Sequence, residues 1–157
     1  MPHPIDDLDA RLLALLEEDP QVGVLGASRR LGVARGTVQS RLDKLVARGV
    51  IRSFAPQLDP VGLGYPVTAF STLEIRQGTG GGPVLEHLHD IPEVLEAHTI
   101  TGSGDLMVRI VARDNADLQR VIDLVVMHEH VERSSTLIAL STRIPHRTRP
   151  LVERALS

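Results

Sequence analysis

The stretch SFAPQLDPVGLGYP, residues 53–66, places three prolines and two glycines within one short segment. Proline removes a backbone donor and fixes φ, and glycine is costly to order, so neither a helix nor a central strand runs through it. The spacing of apolar residues changes across this break. Before it they recur every three or four positions; after it they alternate. A chain of this kind folds as two units, one helical and one strand-rich. We therefore expect a helical domain over residues 1–52, a linker over 53–66, a second domain over 67–144 and a C-terminal tail over 145–157.

In the first part, Leu8, Leu12, Leu15 and Leu16 make one apolar stripe. Asp6 suits the N-cap of that helix, Asp7 and Asp9 suit the positive end of its dipole, and Asp19-Pro20 ends it. A second helix is expected from about Val24 to Leu31, with Gly23 where a stronger cap would stand and Gly26 inside. A third runs from about Arg35 to Ala47, with Val38, Leu42 and Leu45 inward and Gly49 at its left-handed end. Val50-Ile51 then begins an extended segment.

In the second part, Val67 to Arg76 alternates, with Val67, Ala69, Ser71, Leu73 and Ile75 on one face. QGTGGGP reads as a loop, and Pro83 opens a short helix to about Asp90. Strands follow at Val94–Thr101 and Leu106–Arg113, the latter with Leu106, Val108, Ile110 and Ala112 on one face. Asn115 to about Met127 is a helix on the stripe Leu118, Val121, Ile122 and Val125. Val131 to Ile144 reads as a long last strand. The order β-α-β-β-α-β predicts a ferredoxin-like α+β domain, four antiparallel strands with two helices on one face. Apolar residues on both strand faces predict that a second subunit covers the other face. The tail carries no pattern beyond a short helix around Val152 to Leu156.

Composition excludes several classes. The chain has no cysteine, which removes disulfides, zinc-finger spacings and thiol nucleophiles. No apolar run reaches the roughly 18 residues of a membrane span, and MPHPIDDLD does not resemble a signal peptide. The expected location is the cytoplasm. With Tyr65, Phe54 and Phe70 the only aromatics, bases are not read on an aromatic platform.

Charge is unevenly placed. Residues 27–52 hold Arg29, Arg30, Arg35, Arg41, Lys44, Arg48 and Arg52 against a single acid, Asp43, in a chain of net charge -3. The short helices joined at Gly32-Val33-Ala34 match a helix-turn-helix, whose second helix enters the major groove of DNA. On that helix Gly36, Thr37, Gln39, Ser40 and Lys44 face outward. Thr37, Gln39 and Ser40 suit base edges, and Gly36 permits close approach. Arg29, Arg30, Arg35, Lys44 and Arg48 suit phosphates. Arg41 lies at the edge of the apolar stripe and fits either a DNA contact or an ion pair with an acid of the first helix. Asp43 lies on the outward face and would repel phosphate if it pointed at the DNA backbone.

These pieces resemble the Lrp/AsnC (feast/famine) family of transcription regulators over about residues 5–144. The resemblance rests on IDDLDARLLALLEED, SRRLGVARGTVQSRLDKLVARGVIRSFAPQLDPVGLGY, HTITGSGDLMVRIVA and VERSSTLIAL, taken in order. It implies an N-terminal winged helix-turn-helix domain that binds double-stranded DNA and a C-terminal ligand-sensing domain. It implies dimers formed through the sheets, often assembled into octamers. It further implies an effector, commonly an amino acid, near Thr101, Gly102, Ser103, Gly104 and Asp105. Glycines there open backbone N–H groups to a carboxylate, and Asp105 suits an ammonium; an ordinary hairpin turn is the other reading of the same residues. The chain departs from the family at Ser103 and Gly104, where an acid and an aromatic are common, and at Ala34, where serine is usual.

Catalysis is not expected. His128-Glu129-His130 is not a zinc-protease motif, His87 and His89 are equally ill-spaced, and no nucleophile elbow or phosphate loop appears. No metal or cofactor is expected. The rival to DNA regulation is a ligand-binding oligomer whose helical domain contacts protein, and steep salt dependence of DNA binding separates the two.

Overall fold

The computed structural model describes residues 5–76 and 81–155. The chain forms two compact units, one of the residues up to Pro56 together with those from Ile144 onward, the other of Gln57–Arg143. Among the described residues no helix is long and apolar enough to cross a membrane.

The first unit contains α1 (Asp7–Glu18), α2 (Gly23–Leu31), α3 (Arg35–Ala47) and, from the far end of the chain, α6 (Arg149–Arg154). Asp6 caps α1 in a reciprocal box: the Asp9 N–H donates to Asp6 Oδ1 at 2.9 Å and the Asp6 N–H to Asp9 Oδ2 at 3.4 Å. Leu12, Leu15, Ala27, Val38 and Leu45 form the core, with Leu42, Leu31 and Ile51 packed against it. Burying each such leucine contributes about 1.5–3 kcal/mol. Gly32 (φ 69°) and Gly49 (φ 71°) end α2 and α3 in the left-handed region. After α3 the chain turns back, with the Val50 and Ile51 N–H groups both donating to Leu45 O, at 2.9 and 3.1 Å. That pairing replaces the extended segment expected there, and among the described residues this unit contains helices only, with no strand to form a wing. The tail is built into the unit: α6 packs on α1, and Thr148 Oγ1 donates to Glu17 Oε1 at 3.1 Å.

The second unit runs β1 (Val67–Ile75), α4 (Gly82–His89), β2 (Val94–Thr99), β3 (Leu106–Ala112), α5 (Asn115–Val126) and β4 (Val131–Ala139). Gln77 to Gly80 of the expected loop lie outside the described residues. The sheet is antiparallel in the order β2-β3-β1-β4, the ferredoxin-like arrangement. Ala69 and Leu73 of β1 and Leu106, Val108, Ile110 and Ala112 of β3 meet Val84 and Leu88 of α4 and Leu118, Val121 and Val125 of α5 in one core. Ser71, 1% exposed, accepts from Thr136 Oγ1 at 2.9 Å, so the one hydroxyl among these apolar positions of β1 is satisfied.

The largest difference from an expected element bound is in β4; β2 also stops at Thr99 instead of Thr101. β4 ends at Ala139, not Ile144, because its ladder partner begins there: Thr68 pairs with Ala139, and upstream of Val67 stands Pro66, which has no N–H to give. His128 and His130 lie beyond the end of α5, in the turn before β4.

Candidate functional site

α3 positions the predicted DNA face. Its core side is tied down by Val38 (1% exposed) and Leu45 (0%), which turns Gly36, Thr37, Gln39, Ser40 and Lys44 to the surface. Gly36, Gln39, Ser40, Asp43, Lys44 and Ala47 line one shallow, open groove along the helix. Arg35 and Lys44 on α3 and Arg29 on α2 are exposed and form no ion pair among the described residues. A phosphate therefore need not displace an acid to reach them. At residue 36 a Cβ would meet nothing within 4 Å, so the glycine leaves the helix surface low where a base edge would approach.

Besides Arg48, which lies 4.0 Å from Asp9, three predicted residues are held otherwise. Arg30 Nη1 pairs with Asp19 Oδ2 at 3.0 Å, tying α2 to the end of α1. Arg41 Nη1 bonds Asp6 and lies 3.1 Å from Asp9 Oδ1, so it clamps α3 to the start of α1. Of the two readings the sequence left for Arg41, the structure displays the ion pair. The Asp9 side chain is only 6% exposed, with Arg48 a further 4.0 Å away, so Arg41 neutralises a nearly buried charge. The Asp9 N–H, and then Arg41, hold the Asp6 carboxyl below the usual carboxylate range. Gln39, third, donates from Nε2 to Asp43 Oδ1 at 2.8 Å.

The turn predicted to meet an effector joins β2 to β3. Gly102 (φ 107°) and Gly104 (φ 137°) adopt backbone that L side chains avoid, and a Cβ on Gly104 would stand 3.2 Å from Thr72 Cγ2. The Gly102 and Ser103 N–H groups have no partner among the described residues, whereas Gly104 N–H donates to Gly102 O at 3.1 Å. Asp105 is already engaged. Its N–H donates to Leu73 O at 2.8 Å, and its Oδ2 accepts from Ile75 N–H at 2.7 Å. The carboxylate thus extends the β1–β3 ladder past its last backbone pair. One oxygen of Asp105 is spent on the fold, which leaves Oδ1 as the atom that could meet an ammonium.

The histidines also group in a way their spacing concealed. The rings of His87 and His128 lie 5.2 Å apart and those of His128 and His130 5.1 Å apart. His87 Nε2 lies 2.7 Å from Leu124 O, which only accepts, so the ring nitrogen there carries the proton. Among the described residues no group of three or more His, Asp or Glu is arranged to hold a metal ion.

At the start of α5 sits a network that sequence reasoning missed. Asp117, 6% exposed in its side chain, accepts from Arg113 Nη2 at 3.1 Å and Arg120 Nε at 2.8 Å, and Arg120 also bonds Glu93. The Arg113 guanidinium first, then its N–H and Arg120, hold Asp117 far below the usual carboxylate range. The i,i+4 and i,i+3 spacings of Arg113, Asp117 and Arg120 were legible; their convergence with Glu93 was not.

Residues 5–46 match the family model of the AsnC-type helix-turn-helix domain, and residues 68–149 that of the Lrp/AsnC ligand binding domain. The chain is 31% identical over 139 residues to the HTH-type transcriptional regulator FL11 of Pyrococcus horikoshii, covering 88% of this chain and 91% of that protein. Its fold aligns with E. coli AsnC at a TM-score of 0.85 and 26% identity, over 94% of this chain and 100% of that one. A transcriptional regulator of Neisseria meningitidis in complex with L-methionine shares the fold at a TM-score of 0.80 and 24% identity, over 93% and 96% of the two chains. Regulators of this kind are not enzymes. A DNA-binding helix-turn-helix unit and a ligand-binding unit follow one another in this order, and the chain belongs to the Lrp/AsnC family of transcription regulators.

Proposed function

We propose that the chain binds specific DNA sequences as a dimer or higher assembly and that a small effector, an amino acid, sets its occupancy. The observation that carries the DNA part is the exposed face of α3. Arg29, Arg35 and Lys44 stand unpaired among the described residues around Gly36, Thr37, Gln39 and Ser40, cations for phosphate beside hydroxyl and amide groups for base edges. A two-fold dimer sets two such helices into successive major grooves, so the site is a rough palindrome. A cytoplasmic location follows from this role.

The effector part is supported by the turn at Thr101 to Asp105, where two N–H groups are unspent and glycines hold the backbone open. That is chemistry for a carboxylate. An effector acts only through different affinities for two assemblies or two DNA-bound states. The Neisseria complex makes L-methionine the compound to try first, ahead of the other amino acids.

The dimer part is supported by the sheet. α4 and α5 cover one face, and Phe70, Met107 and Leu137 lie exposed on the other at 39%, 38% and 72%. Octamers are the family's further step and are proposed here only as an outcome to be measured.

The deciding experiment is fluorescence anisotropy on DNA from upstream of the chain's own gene, in a salt series, with Arg35→Ala and Gln39→Ala beside the wild type. Affinity falls steeply with salt, Arg35→Ala weakens binding to every sequence, and Gln39→Ala narrows the gap between specific and random DNA. Binding without a salt slope would favour a helical unit that contacts protein. An effector is rejected if no amino acid moves either the isotherm or the oligomeric mass.

A further inference from the structure

The DNA-binding role leaves one residue of α3 without an account. Asp43 is exposed and is the only acid among residues 27–52. It lies in the same open groove as Gly36, Gln39, Ser40 and Lys44. A carboxylate on a face that meets phosphates weakens binding by like-charge repulsion. Its Oδ1 accepts from Gln39 Nε2 at 2.8 Å, and its Oδ2 has no partner among the described residues. The bond also orients Gln39. A carboxylate only accepts, so the amide nitrogen must face it, and Oε1 is left as an acceptor. The pair therefore offers two acceptors, Gln39 Oε1 and Asp43 Oδ2, beside the one remaining N–H of Gln39 Nε2, on the exposed face.

We infer that Gln39 and Asp43 form one base-reading unit that selects an exocyclic amino group, adenine N6 or cytosine N4, in the major groove of each half-site. This rests on the DNA-reading role proposed for α3. Adenine N6 and cytosine N4 are the two donors on major-groove edges, whereas guanine O6 and thymine O4 are acceptors that the Asp43 carboxylate repels; the remaining Gln39 N–H suits adenine N7 beside N6. A buried base contact needs a low helix surface beside it, and Gly36 and Ala47 flank the pair in the groove. The repulsion from phosphate is offset by the exposed cations Arg29, Arg35 and Lys44, so Asp43 costs overall affinity and adds discrimination. The chain contains its own comparison. On α5, Gln119 Nε2 donates to Asp123 Oδ1 at 2.8 Å with the same spacing and exposure. A glutamine and an aspartate one turn apart bond wherever they occur on a helix; what sets Gln39–Asp43 apart is its place on the DNA face.

The test is selection of binding sites from a random duplex library by the full-length wild type, Asp43→Ala, Asp43→Asn and Asp123→Asn. The wild type takes adenine or cytosine at one position per half-site. Asp43→Ala flattens that position, with discrimination there falling roughly tenfold while affinity for random DNA rises. Asp43→Asn, which presents a donor, shifts the position toward guanine or thymine. Asp123→Asn selects as the wild type does. Replacing the chosen adenine by purine, or the chosen cytosine by 2-pyrimidinone, removes only the amino group and weakens wild-type binding without affecting Asp43→Ala. If Asp43→Ala keeps every wild-type base preference, the inference is wrong, whatever happens to total affinity. If the wild type shows no salt-dependent DNA binding, it is the reading role of α3 itself that fails.

Discussion

Arg41 and Asp43 stand two residues apart on α3 and face opposite tasks. Helical geometry puts Arg41 at the rim of the apolar stripe, where the sequence alone leaves it between DNA and an acid. The decision comes from Asp6 and Asp9, 35 and 32 residues away, which no local pattern reports. Arg41→Ala leaves the nearly buried Asp9 with Arg48, 4.0 Å away, as its one paired cation among the described residues, so Tm of the helical unit should fall by roughly 5–10 °C. Binding to DNA at a temperature where both proteins are folded should keep the wild-type salt slope; a slope reduced by about one phosphate would return Arg41 to the DNA face. Asp117 permits a sharper test, in pH. Its folded carboxyl titrates far below the ordinary value near 3.9, because Arg113 and Arg120 favour the charged form. In the window between the two values the unfolded chain binds the extra proton, so stability rises with pH there. The contribution is complete above about pH 5 and is lost as pH falls below about 4 toward the folded value. Asp117→Asn should therefore lower Tm at pH 7, and the gap to wild type should narrow as pH is taken from 5 to 3. An equal gap at both ends would show that Asp117 acts by packing and not by charge.

At the scale of elements, most of the fold was legible, and the reasons are local. Apolar spacing located every helix of 1–52 and the buried faces of β1 and β3, because one-face burial and period are the same fact seen twice. Ends were harder. The alternation of Val131 onward continues past Ala139, but a strand needs a neighbour, and β1 supplies none before Val67. Asp6 capped α1 as its chemistry predicts, whereas α2 and α3 start with no side-chain cap at all. Ala34 already has the extended backbone of an N-cap, φ -66° and ψ 149°. Thr37 N–H already donates to Ala34 O at 3.0 Å, so a serine hydroxyl there would accept from the N–H of Gly36 without moving the chain. Ala34→Ser should stabilise the protein by about 1 kcal/mol, read as a higher urea midpoint with an unchanged m-value. No gain would mean that this N–H is already well solvated, leaving the helix start nothing to recover.

At the scale of the molecule two facts matter, the first beyond any local reading and the second expected from the apolar residues on both strand faces. The tail has no usable period, yet α6 completes the helical unit by packing on α1, with Thr148 and Glu17 bonded across 131 positions. The second fact is the uncovered side of the sheet. Register places Phe70 beside Leu137 and Arg109, and Thr72 beside Met107, so the exposed apolar side chains adjoin each other on neighbouring strands. Arg109 pairs with Glu96 toward β2, which gives the patch a charged border. A patch of this make-up favours a copy of itself, since a two-fold axis sets the apolar centre on the apolar centre. Because Phe70 and Leu137 lie outside the core, Phe70→Glu with Leu137→Glu should leave the folded chain intact by circular dichroism. Light scattering should show the wild type as a dimer or a multiple of it and the variant moved toward the mass of a single chain. Affinity for a palindromic site should then fall by roughly 100-fold or more, because two linked helices no longer bind as one, while affinity for a single half-site stays near that of one wild-type helix unit. A variant that keeps the wild-type mass would assign assembly to another surface and leave this face without a partner.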